Sequence, residues 1–277
     1  MTRVAAVLVV VLLAATLVEA QRGWGRGFGR WGGEAGVPPR YATEADQDGR
    51  FHFCRLQYTA VRAQQRGMGW GTDYPYADIN FSTRLSEMTK TVVSKNGHDP
   101  NHIVVKPTDE WLSMCPFVMA SDPASAGFSQ EDATGLRDYL MKGGFLWVDD
   151  YWGPYAWEDF AREIAKVLPP GQYPIRDLPP DHPIYRALFQ VAEVPQVPAW
   201  QYWRQTGGDT SEMGPLSARA HMAAISDPQG RVMVLMTHNT DIADSWEREG
   251  EDPAYFYAFS PNGYALGMNV AVYAMTH

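Results

Sequence analysis

Residues 136–153 read LRDYLMKGGFLWVDDYWG, and this stretch decides the fold class. Just ahead of it Ser129 stands as a helix N-cap, Glu131 and Asp132 suit a first turn, and Ala133, Leu136 and Leu140 recur on one face. Gly143-Gly144 ends that helix. FLWVDD follows at once, an apolar run closing on two acids. An amphipathic helix handing directly to a strand that is apolar on both faces reads as a crossover unit of a parallel sheet.

Working outward, FHFCRLQY from Phe51, HIVV from His102 and PFVMA from Pro116 read as further strands, with a Gly-rich loop from Gly67 to Gly71. A helix is expected after Asp78, with Phe81, Leu85, Met88 and Val92 on one face. Trp157, Phe160, Ile164 and Leu168 place another, ended by the Pro-rich stretch 169–183. Ala223–Ser226 and Arg231–Met236 flank the turn Asp227-Pro228-Gln229-Gly230 as a hairpin near the sheet edge. A closing helix carries Tyr264, Met268, Val272 and Met275 on one face. The alternation predicts an α/β fold, a three-layer sandwich around a mostly parallel central sheet. No internal repeat or second-domain linker is visible.

At the start of the chain, Arg3, the apolar run Val4–Val18 and the small residues around Ala20 form the pattern of a secretory signal peptide over residues 1–20. An uncleaved anchor is the alternative. Cleavage leaves about 255 residues, enough for one large α/β domain, with no transmembrane segment. The protein is thus expected to be exported, periplasmic or extracellular. Residues 21–49 are expected to be a disordered Gly/Arg/Trp-rich arm and 50–277 a single domain. The arm reads as a plain linker, or as a contact for membrane headgroups, glycan or a partner protein of the envelope. A net charge of −9 excludes nucleic-acid binding built on clustered basic residues. Cys54 and Cys115, each within an apolar segment, read first as small buried hydrophobes, although an oxidising compartment would permit them to pair.

Chemistry is sought at the carboxyl ends of the strands, where open parallel sheets bind ligands. Asp149, Asp150, Tyr151 and Trp152 end one such strand. Both acids can share a pocket only if the chain turns sharply there; otherwise one caps the turn and the other is solvated. Asp181 and His182 lie in a Pro-constrained loop that could hold a general base or a metal ligand, or serve as a structural connector. His238, Asn239 and Asp241 follow the strand RVMVLM and could join the Asp149 edge. No metal signature is complete and no cofactor is expected. Phosphate-cradling glycine loops, paired-cysteine zinc motifs and Gly-x-Ser-x-Gly elbows are missing.

FHFCRLQY, YPYADINFSTRL at Tyr74, LRDYLMKGGFLWVDDYWG, DHPIY at Asp181, GRVMVLMTHNTDI at Gly230 and GMNVAVYAMT at Gly267 together resemble the domain of unknown function 4159 family. That resemblance implies a flavodoxin-like layer fold similar to the class I glutamine amidotransferase-like proteins. GGFLWVDDYWG is similar to the strand and elbow that carry the nucleophilic cysteine of true amidotransferases. Here Asp149, Asp150 and Tyr151 stand in its place, which argues against thioester chemistry. The functions expected are a non-catalytic binding or accessory domain for a small molecule, glycan or peptide, drawing on ten tryptophans and fourteen tyrosines; or a hydrolase pairing Asp149 or Asp150 with His182 or His238 on a glycan or amide; or a structural partner in an envelope complex.

Overall fold

The computed structural model describes residues 37–64 and 67–277; the signal-like segment 1–20 and residues 21–36 of the expected arm lie outside the described residues. Phe53–Leu56 forms β1, and its side chains alternate between two cores: Phe53 joins one, Cys54 and Leu56 the other. The same alternation runs through β5 (Val118–Ser121) and β6 (Leu146–Asp149), while β4 (His102–Val105) sends Ile103 and Val105 into the second core and β9 (Val232–His238) supplies both. With β8 (His221–Ser226) and the short β7 (Arg176–Asp177) these build one seven-stranded sheet in the order β4-β1-β5-β6-β9-β8-β7. The first five strands are mutually parallel; β8 and β7 run antiparallel at one edge. β2 (Lys95–Asn96) and β3 (Asp99–Pro100) form a separate small hairpin.

Apolar strands of this kind need cover on both faces. One face packs on Phe81 and Leu85 of α1 (Tyr76–Met88), on Trp246 of α5 (Asp244–Glu247), and on α6 (Pro253–Thr276). There Phe53 meets Phe81 and Phe117 edge-on at 5.4 and 5.2 Å, and Trp147 meets Trp246 at 5.5 Å. Such perpendicular pairs add to the burial energy of the rings. The opposite face packs on Leu136 and Leu140 of α2 (Gln130–Met141) and on Phe160 and Ile164 of α3 (Gly153–Val167). The remaining helix, α4 (Trp200–Thr206), is short and contributes Trp203 against Tyr255 and Phe259.

Several expectations need correction. α1 begins two residues before Asp78 and stops at Met88, where the Thr89 hydroxyl returns to the Leu85 carbonyl; Val92 lies beyond it, 64% exposed. The closing helix does carry Tyr264, Met268, Val272 and Met275, and it starts eleven residues ahead of that face, at Pro253, capped by the Asp252 side chain. Order does not begin at Arg50. Tyr41 forms a parallel bridge with Val104, the Val104 N–H donates to the Arg40 carbonyl, and Arg40 pairs with Asp46, so residues 37–49 are fastened to the β4 edge by hydrogen bonds rather than by apolar burial.

Cys54 and Cys115 are joined in a disulfide with Cα atoms 6.0 Å apart, rather than being two free buried thiols. Cys54 faces the α2 side of β1, and Cys115 lies just before β5, the neighbouring strand, so the sheet itself brings the two together. Among the described residues no helix is long and apolar enough to cross a membrane. Closing a loop of 61-residue separation restricts the unfolded chain, and on the chain-entropy view the C54A/C115A variant loses about 4 kcal/mol of unfolding free energy. Urea unfolding of that variant and of the native chain measures the difference.

Candidate functional site

The last side chains that β1, β5, β6 and β9 direct toward the α1 face are Arg55, Ser121, Asp149 and Thr237, a polar row above an apolar sheet. Arg55 and Asp149 are wholly buried. A charge so placed must be compensated. Arg55 pairs with Asp78, in the first turn of α1, and its NH1 donates to the Thr72 carbonyl at 3.0 Å and the Ser121 hydroxyl at 2.6 Å. Ser121 passes the chain on, donating to Asp73 Oδ2 at 3.0 Å. Asp149 accepts from the Thr237 hydroxyl at 2.6 Å and from the Ala243 N–H at 3.0 Å.

Further acids enter from loops. Asp241, Asp244 and Glu247 come from the β9–α5 turn and α5, and all are buried with Asp73. Burial, and then the neighbouring carboxylates, push Asp73 and Asp241 upward. Burial alone outweighs the donors around Asp149 and raises it to about 7. Asp244 and Glu247 rise for the same primary reason.

Four non-glycine residues of this region adopt left-handed backbone: Asp73 (φ 65°), Asp122 (φ 48°), Asp150 (φ 60°) and Asn239 (φ 60°). Asp and Asn tolerate that region better than other side-chain-bearing residues. Asp122, Asp150 and Asn239 each directly follow a strand, and their N–H groups donate to Asp149, Thr240 and Tyr151 carbonyls, tying the three turns together. The sharp turn at Asp150 separates the two neighbouring acids: Asp149 stays sealed inside, and half-buried Asp150 lines a cavity of about 90 Å³ with Asp122, Glu212, Trp152, Tyr155 and Met213. Trp152 Nε1 donates to Asp150 Oδ1 at 3.1 Å, and the Gly69 N–H to Asp122 Oδ2 at 2.9 Å. Burial raises Asp122 to about 7 and Asp150 well above its usual range.

The sequence candidates therefore gather only in part. Asp149, Asp150, Trp152 and Asp241 meet at the carboxyl edge. Tyr151 turns to the α3 side, stacked on Trp157, and Asn239 is a clamp, accepting from Gly153 N–H and donating to the Arg219 carbonyl. His238 points away from the acids: its Nε2 faces the Gly153 carbonyl at 3.0 Å, its ring packs on Tyr151 and Trp157, and burial lowers it to about 4. His182 caps the turn Pro183–Arg186 and packs on Tyr273, while Asp181 is exposed; neither belongs to this edge. Sequence reasoning missed Asp73, Asp122, Glu212, Asp244 and Glu247. One signal pointed toward them: Arg55, a cation inside an apolar strand, required acids nearby.

Together these features define an α/β domain with an acid-rich crevice at the carboxyl edge of a mostly parallel sheet. The chain belongs to the domain of unknown function family DUF4159, whose family model matches residues 52–275. No curated protein matches it.

Two outcomes follow from the buried charges. Arg55→Leu strands Asp78 and costs about 3–5 kcal/mol in chemical denaturation, part of which returns in R55L/D78L. Asp122 and Asp149, at about 7 in the fold, keep protons that their unfolded counterparts release near pH 3.9. His238, lowered to about 4 in the fold, pulls the other way between about pH 4 and 6.5, but the two acids outweigh it, so stability falls as pH rises through about 4 to 7 and levels off above. Calorimetry in a chelating buffer should give a higher Tm at about pH 5.5 than at pH 8; the reverse order contradicts the burial of these acids.

Proposed function

We propose that this is an exported, non-catalytic ligand-binding domain on a flavodoxin-like scaffold of the class I glutamine amidotransferase type, with carboxylates where a nucleophilic thiol would stand. The cavity at the ends of β5 and β6 carries this reading: acids and aromatic rings converge there, on backbone held by left-handed turns. Supporting the scaffold is the strand order, in which the second parallel strand in sequence, β4, flanks β1 on one side and β5 and β6 follow on the other, leaving a crevice between β1 and β5. Both cysteines are consumed in the disulfide, so no described thiol serves the Asp150 elbow. Export is favoured by the signal-like residues 1–20 and by a disulfide of the kind that persists in oxidising compartments.

A hydrolase that pairs Asp149 or Asp150 with His238 or His182 is disfavoured, because both imidazoles turn elsewhere. The cavity has room for about three waters' worth of ligand, which suits one head group rather than a whole molecule. Carboxyl oxygens beside Trp152 and the exposed ring of Tyr155 suit hydroxyl or ammonium donors on an otherwise flat ligand, such as a saccharide or the amino end of a peptide. Thermal-shift screening of saccharides and short peptides, followed by calorimetric titration, tests this. Any ligand found should lose at least about tenfold in affinity with Asp150→Asn and with Tyr155→Ala, the size of one hydrogen bond or ring contact. Binding unchanged in both variants would place the ligand elsewhere.

A further inference from the structure

Deeper than the cavity, and not among its lining residues, Asp73, Asp244 and Glu247 each present a carboxylate oxygen within 4.8 Å of the other two. A point between them lies within about 2.8 Å of all three oxygens, so a small inward turn of the side chains brings a central cation to the roughly 2.3–2.6 Å at which calcium binds oxygen. Two of the ligands are three residues apart on the single turn of α5, and the third sits in the left-handed turn that leads into α1. The turn at Asp73 is fixed by Ser121 from β5, and Asp244 by the Trp200 N–H at 2.6 Å and the Tyr255 hydroxyl at 3.2 Å, both on its Oδ2.

Glu247 supplies a second, independent observation. Its side chain is 2% exposed, and neither carboxylate oxygen accepts a hydrogen bond; Arg248 Nε lies 3.0 Å from Oε2 as an ion-pair partner. Otherwise the group nearest to bonding it is the Asp244 carboxyl, which Glu247 can meet only by sharing a proton, a costly arrangement for two buried acids with no cation between them. The nearby cations are otherwise engaged. Arg55 is committed to Asp78, and Arg248 also serves Asp244 and Glu251. Hard oxygen donors without imidazole or thiolate exclude a preference for zinc or copper, and their irregular spread fits calcium better than the strict octahedron of magnesium.

From this geometry we infer that Asp73, Asp244 and Glu247 form a calcium site that staples α5 to the start of α1 beneath the crevice. The test uses the full chain, dialysed against a calcium chelator and titrated with calcium chloride in a calorimeter, with magnesium chloride in parallel. One calcium ion binds per chain, magnesium binds more weakly, and millimolar calcium raises the Tm by several degrees, as a ligand selective for the folded state must. Glu247→Gln, or Asp73→Asn, which keeps a residue at ease in the left-handed turn, weakens calcium by more than about tenfold. Having two variants guards against one that fails to fold. Tyr155→Ala, which removes pocket binding under the function proposed above, leaves the calcium isotherm unchanged, so the two ideas fail separately. No calcium heat and no Tm change in the native chain would overturn the site, as would calcium affinity unaltered in a folded Glu247→Gln or tighter binding of magnesium.

Discussion

A guanidinium in the first strand of the sheet is the constraint on which the upper half of this molecule rests. Arg55 is sealed between β5, α1 and the loop that carries Thr72, with Asp78 as its counter-ion and Ser121 as its second acceptor. Every element near it is positioned by that requirement. Asp78 sits in the first turn of α1, and the Thr72 carbonyl turns inward from a loop that passes through a left-handed Asp73. Removing such a charge from water is costly, and the cost is recovered only while all its partners hold their places.

The acids exceed the cations around this centre, and the excess divides into two populations. One is closed off: Asp73, Asp149 and Asp244 accept backbone or hydroxyl donors and have almost no exposure. The other, Asp122 and Asp150, faces a small cavity from turns that only Asx or Gly residues adopt readily. Left-handed turns at the ends of β5 and β6 bring the Asp122 and Asp150 side chains to one rim, while the third, at Asn239, clamps the neighbouring backbone. The crevice is therefore a product of backbone geometry first and of side-chain charge second.

Much of the architecture was legible because buried parallel strands are written as plain apolar runs: FLWV, HIVV and PFVMA fall where β6, β4 and β5 are. The family resemblance agreed with the matched model. Less legible were elements held by polar contacts, such as the strip 37–49, and the first eleven residues of α6, whose composition is mixed and includes Pro261. At the site, Asp149 and Asp150 stood out by position, whereas His238 misled. Neighbouring residues of an extended strand face opposite ways, so once Thr237 reaches Asp149, His238 must face α3. Asp73, Asp122, Asp244 and Glu247 are single acids in separate loops, and nothing local distinguishes an acid that folds inward from one that stays in water. The disulfide escaped for a related reason: two cysteines far apart in the chain become neighbours only through the pairing of β1 with β5.

The strip of chain that runs beside β4 has a meaning outside the site altogether. Strand edges are adhesive, since their unpaired amides and carbonyls will accept any passing strand, including that of another copy. Here the β4 flank is met by Arg40 and Tyr41 through the Val104 amide, the His102 carbonyl and a Tyr41–Gln57 hydrogen bond, while Lys106 lies 5.3 Å over the Tyr41 ring. That arrangement works as a built-in guard against edge-to-edge polymerisation. A few residues that add almost nothing to the core thus cover an edge that would otherwise stand open.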